Sequence, residues 1–205
     1  MAVSKAREYW TFLTRAIHAP ATIGAIAPTS GHVANAVAGV IPSFGDPVVV
    51  ELGPGTGAVS TAIRRRLGTR GRHLAVELDP EMVRFLRSDK PWLQVVEGDA
   101  GQLRELLAQV DVTRVDALIT SIPWTLLEPA EQYRLLREAA QSLAPNGVFT
   151  TITYVTTLWR SATRTFVQAL HEHFDEVVPR ATVWPNVPPA RIYVCRRPLL
   201  TAPGR

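Results

Sequence analysis

Three short stretches bring together residues that suit a nucleoside-bearing ligand. The first is Glu51-Leu52-Gly53-Pro54-Gly55-Thr56-Gly57, with a glycine at every second position from Gly53. Without a Cβ the backbone there can lie close to a ligand, and free N–H groups at a helix start favour a negatively charged moiety such as a carboxylate. The second is Glu77, 24 residues after Gly53, near the spacing at which an acid meets ribose hydroxyls. The third is Glu97-Gly98-Asp99-Ala100, where Asp99 is placed to accept from an adenine amino group. A plain tight turn followed by two helix-capping acids is the simpler alternative. It does not explain why all three features fall at strand ends.

The elements that must position these residues follow from hydrophobic periodicity. Pro47 to Leu52 reads as a buried strand, Thr56 to Leu67 as a helix, and Arg72 to Leu78 as a second strand. Asp79 as N-cap and Pro80 at the first position open a helix to Ser88. Leu93 to Glu97 is the third strand, Gly101 to Gln109 a helix, and Val115 to Thr120 the fourth strand. Pro129 to Leu143 is a long helix stopped by Pro145-Asn146-Gly147, and Gly147 to Tyr154 is strand five. After a helix over Trp159 to Phe174, strands Glu176 to Val183 and Arg191 to Arg197 pair as a hairpin-like edge. The alternation predicts an α/β fold, a parallel sheet with helices on both faces. Before it lie two helices, Ser4 to Ile17 and about Ser30 to Val40, and the first is amphipathic. It is expected to pack as a lid or to lie in a lipid interface through Trp10, Tyr9 and Phe12. The expected organisation is residues 1–45 as that helical segment, 46–198 as the sheet domain and 199–205 as a frayed tail.

The glycine turn, Glu77 and Asp99 together resemble the successive motifs of class I S-adenosylmethionine-dependent methyltransferases. The turn reads G-x-G-x-G, whereas dehydrogenases usually space it G-x-G-x-x-G. The resemblance implies a Rossmann-like seven-stranded sheet, mostly parallel with the last strand antiparallel. It further implies that S-adenosylmethionine lies against Glu51, Gly53, Gly55, Thr56, Gly57, Glu77, Leu78, Asp99, Ala100 and Ser121. Strand four ends in Thr120-Ser121-Ile122-Pro123-Trp124, which resembles the Asn/Asp/Ser-x-Pro-aromatic loop of enzymes that methylate exocyclic amino groups. In such a loop Ser121 and neighbouring carbonyls aim the amine, and Ile122, Pro123 and Trp124 contact the acceptor. The Trp124 face would stabilise a developing ammonium by about 2 kcal/mol when desolvated. The alternative is a stiffened loop with Trp124 filling the core.

Two flanking stretches, Pro20 to Ser30 and Val183 to Val194, together with the glycine turn are similar to those of bacterial phospholipid N-methyltransferases, and the likeness spans nearly the whole chain. It implies conversion of phosphatidylethanolamine towards phosphatidylcholine, a membrane-contacting first helix over Ser4 to His18, and Thr29 and Ser30 beside the cofactor. A phospholipid ammonium, with a pKa of about 10 like lysine, must lose a proton before attack. Tyr9, His18 and Tyr154 are the candidate bases. A small-molecule amine or phenol is the second acceptor class. Ribosomal RNA adenine is the third, because the basic excess is small for a phosphate-tracking protein. A cofactor-binding module without turnover is the remaining alternative, and the intact Ser-Ile-Pro-Trp loop speaks against it.

Composition agrees with one soluble domain: 205 residues, 46% hydrophobic and 20% charged. The net charge of +4 is concentrated at the two ends, and nearly all basic residues are arginine, whose planar fork suits phosphate or an anionic membrane surface. Charges and aromatics in residues 1–12 stand where an export signal would need an apolar run, so a cytoplasmic location is expected, with peripheral attachment to the membrane's inner face. Ala19 to Pro42 is broken by Pro20, Pro28, His32 and Asn35, too often for a span of about 20 apolar residues. The single cysteine, Cys195, sits in apolar alternation and is expected to be a buried, inert thiol. No metal is implied, since the imidazoles of His171 and His173 point to different helix faces.

Overall fold

The computed structural model describes residues 29–199. Helix α1 (Gly31–Ala38) precedes strand β1 (Val48–Leu52), followed by α2 (Ala58–Leu67), β2 (Arg72–Glu77), α3 (Pro80–Asp89) and β3 (Gln94–Glu97). A 3-10 turn at Ala100–Gln102 leads into α4 (Leu103–Ala108), then β4 (Val115–Thr120), α5 (Pro129–Ser142), β5 (Leu143–Tyr154), α6 (Ser161–His173), β6 (Phe174–Pro179) and β7 (Ala190–Pro198). The seven strands form one sheet in the order β3-β2-β1-β4-β5-β7-β6. The pairs from β3 to β5 are parallel, and β7 runs antiparallel between β5 and β6. The alternation predicted the α/β layering, and the seven-stranded Rossmann-like sheet is the one the methyltransferase resemblance implied.

Local chemistry accounts for the boundaries. Asp79 accepts from the N–H groups of Glu81 and Met82, so with Pro80 the start of α3 is fixed as expected. The glycine turn takes up two more residues than the periodicity suggested, because Gly57 caps α2 in a left-handed conformation. At the other end of the domain, Pro145-Asn146-Gly147 does not separate α5 from β5. The chain is already extended at Leu143, and the segment makes a register step in which Val115 pairs Leu143 but Ala117 pairs Val148. Strand β6 starts at Phe174 and ends at Pro179, leaving Val183 as an isolated bridge to Ala190.

Period-two alternation divides the core between the two faces. Val49, Ala117, Ile119, Ile192 and Val194 bury against α1 and α2, while Val50, Leu118, Phe149, Tyr193 and Cys195 bury with α4, α5 and α6. The centre of the second layer is aromatic. Trp124 stacks on Phe166 at 5.0 Å between centroids and meets Phe149 edge-on at 6.2 Å. Phe149 stacks in turn on Phe174 at 5.3 Å. Cys195 is fully buried, and burial pushes its thiol pKa well up, as expected of a packing residue. Among the described residues no helix is long and apolar enough to cross a membrane.

Phe166 is completely buried at one end of this aromatic stack, against Trp124. Phe166→Ala is therefore expected to cost about 3–5 kcal/mol of stability, read as a lower urea midpoint with an unchanged slope.

Candidate active site

Because β1 to β5 are parallel, their C-terminal ends share one edge of the sheet. The chain leaves β1 towards β2 and β3 on one side and returns as β4 and β5 on the other. Parallel sheets hold ligands in the crevice opened at such a reversal. The crevice walls are stitched by backbone: Gly53 N–H donates to Val76 at 3.0 Å, Ser121 N–H to Leu52 at 3.1 Å, and Gly98 N–H to Glu77 at 2.9 Å. The glycine turn, Glu77, Asp99 and Ser121 are thus all at one edge, as their positions in the sequence predicted.

Within the turn, Gly53, Gly55 and Gly57 all have positive φ, so each needs glycine for its backbone alone. A Cβ at Gly53 would stand 3.2 Å from Ile122 Cγ1, and one at Gly57 would run into the stem of Lys90. The flexible Lys90 stem can move aside, so the left-handed backbone is what demands glycine at 57. Thr56 is exposed, and the first turn of α2 has no side-chain cap, which leaves its N–H groups for an anionic group. Glu77 is buried, and its carboxylate accepts only from backbone: Leu78 at 2.8 Å, Asp79 at 3.0 Å and Gly55 at 3.4 Å. Desolvation pushes its pKa up, and these backbone donors act against that shift. Leu78 is half-buried against the core beside it.

Asp99 stands at the end of β3, with Ala100 buried behind it. Its carboxylate accepts from Gly101 N–H at 2.7 Å and is paired with Arg134 of α5 at 2.9 Å. Arg134 also pairs with Glu131 at 2.6 Å and lies directly over Gly101, where a Cβ would collide with its guanidinium. An amino group approaching Asp99 therefore meets a carboxylate already oriented by arginine, a contact no local sequence signal announced. Glu51 differs from expectation. Alternation turns it towards α2, where it accepts from Ser60 Oγ at 2.6 Å and lies 3.3 Å from His73 Nε2, fully buried. Oxygen Oε2 thus serves the packing of β1 on α2 and β2, while Oε1 is buried with no hydrogen-bond partner among the described residues.

The loop after β4 also requires correction. Ile122 and Trp124 are 3% and 1% exposed and belong to the core behind the crevice, so the indole face proposed for an ammonium is committed to packing. What the loop leaves unsatisfied is polar: Ser121 Oγ and Trp124 Nε1 are both buried without a hydrogen-bond partner among the described residues. Pro123 is half-buried between them. The loop is fastened by buried Gln132 of α5, whose Nε2 donates to the carbonyls of Trp124 at 2.8 Å and Leu127 at 3.2 Å. Tyr154 ends β5, and burial pushes its phenol pKa up, the wrong direction for a base.

Thr29 and Ser30 reach the same edge. Ser30 caps α1, and its N–H donates to Asn186 Oδ1 at 3.0 Å, while Asn186 Nδ2 donates to Pro188 at 2.6 Å. Asn186 is buried, so the two flanking stretches singled out in the sequence are joined here by one side chain. Tyr9 and His18, expected as candidate bases, and the helix expected to carry Tyr9 lie outside the described residues. The donor set fits a nucleoside with a charged amino-acid moiety: a buried carboxylate beside a bare turn, uncapped helix N–H groups, and an unpartnered serine hydroxyl.

A family model described as a methyltransferase domain matches residues 49–147. The chain is 32% identical over 197 residues to an ornithine lipid N-methyltransferase of Singulisphaera acidiphila, covering 93% of this chain and 96% of that one. It is also 37% identical over 89 residues to the ribosomal RNA small subunit methyltransferase A of Chlorobaculum parvum, which covers 43% of this chain but 30% of that protein. The fold is similar to the crystal structure of Aeropyrum pernix fibrillarin with natively bound S-adenosyl-L-methionine, at 21% identity and a TM-score of 0.59, covering 78% of this chain and 72% of that one.

If the Glu77 carboxylate receives the ribose, Glu77→Ala weakens S-adenosylmethionine binding by about 1.5–3 kcal/mol. Calorimetry measures this, and a loss no larger than that of a surface control would remove the assignment. With the fold, the strand-end cradle and a whole-length relative in agreement, the chain belongs to the class I S-adenosylmethionine-dependent methyltransferases.

Proposed function

We propose that this methyltransferase N-methylates the amine of a lipid headgroup, with phosphatidylethanolamine as the first acceptor to test and an ornithine lipid as the second. The observation that carries the reading is the end-to-end similarity to an enzyme named for a lipid amine. The ribosomal RNA enzymes match over less than half of this chain. The sheet edge adds physical support. Trp159, Trp184 and Val187 are 69%, 70% and 80% exposed there, on the loops that follow β5 and precede β7. Val155 N–H on Pro189 ties the two loops together and Val183 N–H on Ala190 closes the second on itself, both at 2.8 Å. Residues 155–171 and 177–205 contain no acidic side chain, while Arg160, Arg164, Arg180 and Arg191 fall within them. Exposed tryptophan flanked by arginine suits an anionic lipid interface.

Bound S-adenosylmethionine supplies a methyl group already activated for displacement. The protein's task is to place and desolvate the amine. We assign Ser121 Oγ to accept from an amine N–H, which fixes the direction of the nitrogen lone pair. Trp124 Nε1 is a donor only, so it suits an oxygen of the bound ligands and not the amine. Glycine backbone at 53, 55 and 57, Glu77 with Leu78, and Asp99 with Ala100 form the cofactor wall, and Thr29 and Ser30 close it from α1. An ammonium acceptor must still lose a proton. With the Tyr154 phenol held protonated by burial, Tyr9 and His18 are the proposed bases.

Mass spectrometry of lipids after incubation with mixed liposomes tests the acceptor, with ribosomal RNA and metabolite extracts in parallel. Methylated RNA or a methylated metabolite with unmodified lipid would overturn the reading. Ser121→Ala is expected to reduce turnover roughly ten- to hundredfold, the scale of one lost hydrogen bond in a desolvated site, with cofactor affinity less affected. Replacing Trp159 and Trp184 together by alanine should lower sedimentation with phosphatidylglycerol vesicles while leaving the melting temperature near wild type. Unchanged sedimentation would remove this edge as the lipid-facing surface.

A further inference from the structure

A second concavity lies away from the crevice, on the other side of β5. It is a groove of about 510 Å³ between α6 and β7, lined by Leu158, Thr163, Arg164, Val167, Gln168, His171, Arg191 and Tyr193. That size is within the range of small-ligand sites. Alternation along β7 puts Arg191 on the same face as Tyr193 and Cys195, which pack with α5 and α6. Tyr154, at the adjoining end of β5, shares the parity of Ile152 and faces the α1 side. The groove lining includes none of the glycine turn, Glu77, Asp99 or the loop after β4.

Its charge is one-sided. Among the described residues two arginines and a histidine line it, and no carboxylate does. Arg164 spends one nitrogen on the Trp159 carbonyl at 2.8 Å. The Arg191 Nε is buried and has no hydrogen-bond acceptor among the described residues. A buried guanidinium N–H without an acceptor is costly, and the shape that satisfies it is the planar oxygen pair of a phosphate or carboxylate. Val167, Leu158 and the Tyr193 ring supply an apolar floor next to these cations.

We propose that the α6–β7 groove is a binding site for an anionic amphiphile, with its phosphate or carboxylate between Arg164 and Arg191 and its apolar body along Val167 and Tyr193. This site does not depend on which acceptor is methylated. Both cations stand near the sheet edge that carries exposed Trp159, so a ligand there reaches the groove from the same side as the crevice.

Calorimetry with the whole protein and n-hexyl phosphate tests the site, with inorganic phosphate and hexanol as the two halves of the probe. Saturable binding of hexyl phosphate is expected, at least tenfold tighter than inorganic phosphate, with none for hexanol. Arg191→Gln should weaken it roughly tenfold or more, the scale of one charge-assisted hydrogen bond, and Arg164→Gln should do so to a lesser degree. Both variants should retain wild-type S-adenosylhomocysteine affinity, which shows that they are folded. Vesicles of phosphatidylglycerol against phosphatidylcholine then distinguish a membrane-borne ligand from a soluble one. Absence of saturable hexyl phosphate binding, or binding indifferent to Arg191→Gln in a folded protein, would overturn the proposal.

Discussion

The arrangement of the site rests on the position of β1 between β2 and β4. Past the last paired residues of the strand, Gly53 still donates to Val76 on one side and Ser121 to Leu52 on the other. These two hydrogen bonds hold the glycine turn and the loop after β4 to a common base, so the cofactor wall and the acceptor loop are set by the same ladder. The bare Cα of Gly53 lets Ile122 approach to this distance. A side chain there would part the two walls before it touched any ligand.

The site is buttressed from its back by groups that touch no reacting atom. Gln132 fastens the Ser-Ile-Pro-Trp loop by two backbone carbonyls, and Trp124 wedges the same loop into the aromatic layer of α6. Arg134 orients Asp99 from α5, and Asn186 fixes the start of α1. A loop held in this manner loses little conformational freedom when an acceptor binds, which favours orientation over induced movement. The buried Ser121 hydroxyl, unpartnered among the described residues, is then a small cost stored where a ligand can recover it.

The charge distribution has a structural counterpart. Arg160, Arg164, Arg180 and Arg191 in the last third of the chain lie beside exposed tryptophan and away from the acidic side chains at the ends of β2 and β3. A protein charged in this manner meets an anionic surface in a preferred orientation. That orientation would be set by the same edge that carries the crevice.

The sequence by itself determined the order and type of the elements, because hydrophobic periodicity and local caps act within a few residues. Asp79-Pro80 fixed a helix start, and the glycine turn with Glu77 and Asp99 marked the ligand-facing edge before any contact was known. Parity along β1 would also have turned Glu51 towards α2, yet the motif reading placed it at the cofactor. The rest depended on contacts between residues far apart in the chain. Trp124 reads as an acceptor-facing ring until Phe149 and Phe166 arrive from later elements and bury it. Arg134 meets Asp99 across 35 residues and Ser30 meets Asn186 across 156. The groove beside Arg191 exists only because α6 lies against β7. Such facts follow from how layers pack, and short-range pattern carries no record of them.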